Sequence, residues 1–334
     1  MNTRRAFTLV EVLTVIVIIS ILAALVTVAV AGAMRAGKRA AIATEISQIA
    51  MALEQYKNEL GEYPPDLFDV EALVRHVKKR WPRLNWSNMP NPSLAPTPLP
   101  NDYPSDWATM TSSEQNAWMQ AWKEAWSIKR AISVTYSDFS PNVDFTQRNA
   151  PLGALALWLG GFPNADGKLS GFFADPENPF IIPANTITYD QKVFIDLEFN
   201  GDNSKRIRIY KYRVSDALLP VMGSEIQSAF VPVVYFRGKS SGGHDAYLTG
   251  FGDVKRLDFA DAGVCVPYMD AENGITMKWK NPTTYQLIHP GLDTKFGDSN
   301  NGKRVINSGF GIVLWDLDNI TNFSNYKELK SILP

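Results

Sequence analysis

The chain has 334 residues, 45% of them hydrophobic, which is enough to bury the core of one large domain or of two ordinary ones. Its 33 basic residues almost balance its 34 acidic residues, which argues against a nucleic-acid partner. The single cysteine, Cys265, excludes an intramolecular disulfide, and the three histidines lack the spacing of metal ligands. Since the sequence contains no nucleophile elbow, P-loop or zincin helix, we begin from a non-enzyme interpretation.

The N-terminus predicts a single membrane-spanning helix. Residues 1–6 are short and polar with Arg4 and Arg5, and residues 12–34 are apolar apart from three hydroxyl side chains and one glycine. Such a run is long enough to cross a bilayer. Because the cations precede the span and none lies within it, we expect the leader in the cytoplasm and the bulk of the chain outside.

Glu11 does not follow from this topology. A carboxylate near the start of an apolar span costs on the order of a few kcal/mol unless it finds a partner, so an intramembrane acid indicates a function. Its natural partner is a positive charge. A plain signal anchor that carries an incidental Glu near its start is the alternative interpretation.

The segment Ala6-Phe7-Thr8-Leu9-Val10-Glu11 resembles the processing site of type IV prepilins and type II secretion pseudopilins. The resemblance implies that a prepilin peptidase cuts between Ala6 and Phe7 and methylates the new amine of Phe7. It also implies that Glu11 neutralises the terminal amine of a neighbouring subunit in a filament. Ala6 replaces the usual glycine, from which we expect slower processing, and Val28 replaces a common proline, which predicts a straighter helix.

Beyond the span, apolar residues recur at three- and four-residue spacing up to Tyr56, so the helix continues outside the membrane. From Phe7 to about Leu60 it would extend roughly 80 Å. Gly61 and the pair Pro64-Pro65 end it. The segment that contains Tyr63-Pro64 is similar to the helix exit of the major pseudopilin.

The middle of the chain predicts an insertion followed by a second helix. Residues 81–106 are rich in Pro, Asn and Ser, which is typical of an extended surface excursion. A helix fits residues 112–131, where Thr111 and Glu114 have the spacing of a capping box. Trp118, Trp122 and Trp126 form a stripe that we expect to pack against the sheet, with a partner-binding face as the alternative.

Alternating apolar and polar residues predict an antiparallel hairpin over residues 192–199 and 206–213. Further strands are predicted at residues 231–236, 285–288 and 311–315. The fold class is therefore α+β: a long N-terminal transmembrane and stem helix packed on an antiparallel β-sheet head, which is a pilin-like fold with insertions. We divide the chain into a leader (1–6), a transmembrane and stem helix (7–60) and a head (61–334), with an enlarged insertion at 81–280.

Residues 285–323 look like the acidic C-terminal end of the major pseudopilin, where a loop binds calcium. The resemblance carries Asp293, Asp316 and Asp318 over as Ca²⁺ ligands. Clustered carboxylates, amides and backbone carbonyls are the oxygens that Ca²⁺ prefers. Residues 298–315 lengthen the connection between the two halves, and solvated turns built on Asp are the alternative.

The leading functional hypothesis is a structural pseudopilin of a type II secretion system, located as a single-pass protein of a bacterial inner membrane with its head in the periplasm. Its expected partners are the prepilin peptidase, copies of itself, other pseudopilins and the inner-membrane assembly platform. The presence of Glu11 favours a major-type subunit. The alternatives are a type IV pilin or minor pilin for adhesion, motility or DNA uptake, and a binding module or hydrolase anchored by a pilin stem.

Overall fold

The computed structural model describes residues 9–98, 103–104, 106–137, 145–146, 150–165, 168–195, 233–239, 242–243, 245–248, 254–259, 263–273, 276–297 and 303–334. The chain divides into two compact units, Met1–Ala41 and Ile42–Pro334. From here on we call the second unit the head, so the term now also includes residues 42–60 of the stem helix. The hairpin predicted over residues 192–199 and 206–213 lies outside the described residues except for 192–195, which do not form a strand.

Helix α1, Leu9–Leu60, is the longest element. Its predicted end is confirmed: Gly61 follows with φ of 77°, and its N–H donates to the carbonyl of Lys57 at 2.7 Å. Glycine adopts this left-handed conformation without steric cost, and so it ends the helix.

Two further helices of the head pack against each other. Helix α2, Val70–Arg80, begins where the Asp69 side chain accepts the N–H of Ala72 at 3.0 Å. Helix α3, Ser112–Ser137, begins at the predicted capping box, in which the Glu114 carboxylate accepts the N–H of Thr111 at 2.7 Å. The prediction missed α2 and ended α3 six residues early.

The prediction that the sheet covers the tryptophan stripe of α3 was wrong. Trp118 is buried against Tyr103 and Trp107, and the Nε1 of Trp122 donates to the carbonyl of Pro96 at 3.0 Å. The proline-rich segment therefore folds back over this face of α3. Periodicity identifies an apolar stripe but does not identify what covers it.

Helix α4, Ala154–Gly160, is short and completely buried. It ends at Gly161, where an added Cβ would lie 2.2 Å from the carbonyl carbon of Gly171. Only glycine permits this close approach of two backbone segments, which positions α4 in the core.

The strands form three small sheets. β1 (Val234–Arg237), β6 (Tyr285–His289) and β8 (Ile320–Thr321) make an antiparallel sheet in the order β1-β6-β8. β2 (Leu257–Asp258) pairs with β3 (Val264–Cys265). β4 (Tyr268–Asn273) lies between antiparallel β5 (Thr276–Trp279) and parallel β7 (Arg304–Val305).

The β1-β6-β8 sheet is buried on both faces and separates two hydrophobic cores. Tyr235, Tyr285 and Leu287 belong to the core that also contains Ile42 to Tyr56 of α1. Val234, Phe236 and Ile288 belong to the second core, with β4 and β5. Side chains alternate between the two faces because the strand period is two residues. All buried residues of both cores come from Ile42 onward, so the head carries its own core and we expect it to fold without the span.

The strand predictions were right at β1 and β6 and wrong at 311–315. That segment forms turns followed by a 3₁₀ helix, Leu314–Asp316. Its apolar run resembles a strand in sequence, but it pairs with none of the described strands: Ile312 packs against the second core, and Leu314 and Trp315 are exposed. The observed architecture is the predicted α+β combination of a long apolar helix and a head with antiparallel sheets.

Candidate functional site

The predicted processing residues, Ala6 and Phe7, lie outside the described residues, which begin at Leu9. Glu11 lies in the first turn of α1. A carboxylate at this end of a helix is favoured by the exposed N–H groups and the positive end of the helix dipole.

The first part of α1 exposes apolar side chains all around its surface. Between Leu9 and Met34 the large apolar side chains that the structure describes are 47% to 83% exposed. Length and composition make α1 long and apolar enough to cross a membrane. A surface of this kind requires lipid or other apolar helices to cover it, because it would otherwise leave a large apolar area in water.

The hydroxyl groups of this apolar part are satisfied within the helix. Thr14, Ser20 and Thr27 each donate to the carbonyl four residues earlier, at 2.7, 2.8 and 2.8 Å. Since a bilayer offers no water to a polar group, such internal bonds are what makes the hydroxyls tolerable there. Glu11 is the only ionisable residue between Leu9 and Met34.

The chain that leaves α1 is fixed by buried charges. The Tyr56 hydroxyl lies 2.7 Å from Nε2 of His76, whose Nδ1 lies 3.1 Å from Glu62. Glu62 also accepts from Nη2 of Arg237 at 2.9 Å. The sequence interpretation missed this network, although the concentration of polar residues directly after a helix stop was a usable signal.

The acidic loop of the C-terminal region brings two of the three predicted calcium ligands together. Oδ2 of Asp318 accepts the N–H groups of Leu292 and Asp293, at 2.8 and 3.1 Å. An added Cβ on Gly291 would lie 2.5 Å from the same oxygen, so glycine allows the two segments to approach. The other carboxylate oxygen, Oδ1 of Asp318, is buried without a hydrogen-bond donor.

Both carboxyl groups have raised pKa values. Burial, followed by the charge of Asp318, raises the pKa of Asp293 from 3.8 to about 6, although a hydrogen bond from the N–H of Lys295 opposes the shift. Burial also raises the pKa of Asp318, and the charge of Glu328 adds to this effect. The charge of Asp318 thus disfavours the ionised form of Asp293, and a cation beside the pair would offset this effect.

Asp316, the third predicted ligand, is engaged elsewhere. It is buried, its Oδ2 lies 3.1 Å from Nε of Arg304, and its Oδ1 accepts from the Tyr268 hydroxyl at 2.9 Å. Among the residues that the structure describes, no three Asp, Glu, His or Cys side chains are grouped closely enough to hold a metal. A cation at Asp293 and Asp318 would need backbone carbonyls or water to complete its shell.

Comparison with known proteins identifies the N-terminus only. Residues 1–27 match the family model described as the prokaryotic N-terminal methylation motif. No curated protein and no solved structure matches the chain. The match covers the leader, Glu11 and most of the apolar part of α1, and none of the head.

Proposed function

We propose that this chain, which carries the prepilin-type methylation motif, is a structural subunit of a pilin-type filament and catalyses no reaction. The motif implies processing by a prepilin peptidase and assembly into such filaments. The observation that carries the proposal is the continuity of this motif with a helix that is apolar on all sides up to Met34. Such a surface is covered by lipid before assembly and by sister helices afterwards.

Within this class we favour a pseudopilin of a type II secretion system, held in a bacterial inner membrane with its head in the periplasm. The support is the similarity of the helix exit at Tyr63-Pro64 and of the acidic C-terminal loop to the major pseudopilin. In this head, Pro64 accepts from the Tyr235 hydroxyl at 2.7 Å, so the exit is tied to β1. A type IV pilin for adhesion, motility or DNA uptake is the second candidate, favoured by the same motif.

In the proposed assembly, the peptidase cuts between Ala6 and Phe7 and methylates Phe7, and Glu11 accepts the amine of a neighbouring subunit. The driving force is the high cost of a lone carboxylate in an apolar filament core. A pair of this kind also selects register, because only one axial offset brings the two charges together.

We also propose that Asp293 and Asp318 hold a Ca²⁺ ion. These residues fit the ion because the two side chains lie within hydrogen-bond reach of each other and one buried oxygen of Asp318 has no donor. When bound, the cation would compensate their repulsion and join the two segments of the acidic loop. Asp316 does not fit, since Arg304 already neutralises it.

The deciding experiment is mass spectrometry of the protein extracted from bacterial membranes that contain a prepilin peptidase. We expect a chain that starts at N-methylated Phe7. An unprocessed chain that still starts at Met1 would contradict the proposal and leave a plain signal anchor.

Glu11→Ala tests the assembly role separately. We expect normal insertion and cleavage but no filament, because the variant lacks only the partner of the neighbouring amine. Glu11→Asp is the matched control, since it keeps the charge and shortens the side chain by one methylene. Filaments at the wild-type level from Glu11→Ala would overturn the role given to this residue. Loss of protein export rather than of surface pili in a deletion strain would favour the secretion system over a pilus.

A further inference from the structure

One exposed loop of the head consists of uncharged residues. We call residues 307–315 the apolar loop; it contains Phe310, Leu314 and Trp315, which are 57%, 81% and 46% exposed. Single exposed apolar side chains are ordinary on a protein surface, but three large ones on a short loop indicate a contact with an apolar partner.

The apolar loop is held in place by a buried ion pair. Oδ2 of Asp316 accepts the N–H of Val313 at 2.9 Å and lies 3.1 Å from Nε of Arg304. Gly297 allows this arrangement, because an added Cβ would lie 2.2 Å from Nη2 of Arg304. A buried pair is costly to desolvate, and here it fixes a loop that exposes its three largest apolar side chains while Ile312 packs against the second core. The carboxylate that follows Trp315 is thereby kept away from the surface.

A cation lies at the edge of the loop. Nζ of Lys295 lies 4.7 Å from the centre of the Trp315 ring. The loop itself contains no acidic side chain, and it combines Trp, Phe and Leu with a neighbouring lysine. This composition is typical of segments that lie in the headgroup region of a membrane.

We propose that the apolar loop is a membrane-interface anchor of the head. Phe310, Leu314 and Trp315 enter the headgroup region of a phospholipid bilayer, and Lys295 lies at the level of the phosphates. The occupant is an anionic phospholipid surface, since a lysine at the level of the phosphates is attracted by their negative charge. The inference goes beyond the proposed filament role and rests on its membrane location.

The test uses a fragment from Met34 to Pro334, which contains both cores of the head but lacks most of the span. Co-sedimentation is measured with vesicles of phosphatidylcholine alone and of phosphatidylcholine mixed with phosphatidylglycerol. We expect binding that is stronger on the anionic vesicles. Leu314→Ser combined with Trp315→Ser lowers the partition coefficient at least about tenfold, because two large apolar side chains leave the interface.

Three variants complete the design. Leu94→Ser removes a side chain that is 70% exposed on another segment, and it should bind like the wild type. Lys295→Ala should lower the partition coefficient a few-fold on the anionic vesicles and leave it unchanged on phosphatidylcholine alone. Trp315→Phe should still bind, but with less quenching of tryptophan fluorescence by brominated phospholipid than in the wild type. Circular dichroism shows whether each variant is folded.

The overturning results are distinct. A wild-type fragment that binds neither vesicle, or a Leu314→Ser and Trp315→Ser variant that binds equally well, would refute the anchor. Reversible self-association of the fragment that the same two substitutions abolish would assign the loop to a second copy of the chain. Either result leaves the processing of Phe7, and hence the proposed function, unaffected.

Discussion

The ammonium group of Lys255 lies 2.6 Å from Oδ2 of Asp66, and both side chains are almost completely buried. The same Asp66 oxygen accepts the N–H of Arg237 at 2.9 Å, and Lys255 also donates to the carbonyl of Arg237 at 2.7 Å. The pair thus joins the segment after α1 to β1. Because it is removed from water, each partner depends on the other.

We expect Asp66→Ala to destabilise the head by about 3–5 kcal/mol, because it leaves the buried ammonium without a counter-charge. Lys255→Met should cost less, since Asp66 keeps the N–H groups of Arg237 and Phe68 as donors. Urea denaturation of the Met34–Pro334 fragment measures both. Equal losses for the two variants would contradict this asymmetry.

The head should also lose stability in acid through Glu62. Burial alone would raise the pKa of Glu62, but hydrogen bonds from His76 and Arg237 outweigh it and lower the pKa from 4.5 to about 2. A depressed carboxyl pKa contributes stability above pH 4.5, and this contribution is lost as the pH falls from 4.5 toward 2. Glu62→Gln should lower the free energy of unfolding at pH 7 by about 1–2 kcal/mol. The stability of this variant should also depend less on pH between 4.5 and 2. Parallel pH curves for wild type and variant would refute the assignment.

For Asp293 we expect the opposite dependence of stability on pH. Its pKa is raised from 3.8 to about 6, so the folded state binds the proton more tightly than the unfolded state. Without calcium, this group therefore removes stability as the pH rises from 3.8 to about 6, and the loss persists above that window. Asp293→Asn should raise the melting temperature of the calcium-free fragment at pH 7 by about 2 °C. A lower melting temperature for the variant would show that the two carboxylates do not repel.

Calcium should reverse this loss. We expect Ca²⁺ to raise the melting temperature of the wild-type fragment by mass action, and Mg²⁺ to do less because it retains its water shell. Asp318→Asn should abolish the increment. Asp316→Asn is the matched control: it should lower the melting temperature with and without calcium and keep the increment, because Asp316 pairs with Arg304. Identical wild-type curves with calcium and with chelator would leave Asp293 and Asp318 as turn residues.

The residue at the cleavage site gives a kinetic prediction. If Ala6 slows the peptidase because the family usually has glycine there, Ala6→Gly should increase the rate of cleavage several-fold in a membrane assay. Ala6→Leu should block it. A faster wild type than Ala6→Gly would show that Ala6 is not the limiting position.

Local signals predicted the elements that depend on local physics. The end of α1 at Gly61 and the capping box of α3 at Thr111 and Glu114 follow from backbone conformation and side-chain reach within one turn. α2 was missed although its signals are local too: Asp69 begins it, basic residues end it, and its apolar residues have helical spacing (Val70, Leu73, Val74 and Val77).

Long-range relations could not be predicted in the same way. The sequence placed Asp293, Asp316 and Asp318 in one acidic region, but it gave no sign that Arg304 would take Asp316 out of it. Likewise the tryptophans of α3 were recognised as a stripe, and only the folded chain shows that Pro96 lies against Trp122. Periodicity describes which face is apolar, whereas pairing depends on contacts between distant segments.

The hydroxyls of Thr14, Ser20 and Thr27 already donate to carbonyls of their own helix, so they have no hydrogen to offer a neighbour. In a bundle of such helices, lateral cohesion comes from continuous side-chain contact, and Glu11 is the one charged group along the apolar length. The energy of such contacts changes gradually when helices slide or twist past one another, whereas hydrogen bonds between helices would break one at a time. A filament built on it would stretch and untwist elastically under load, and its resistance to rupture would be concentrated at one end of each helix.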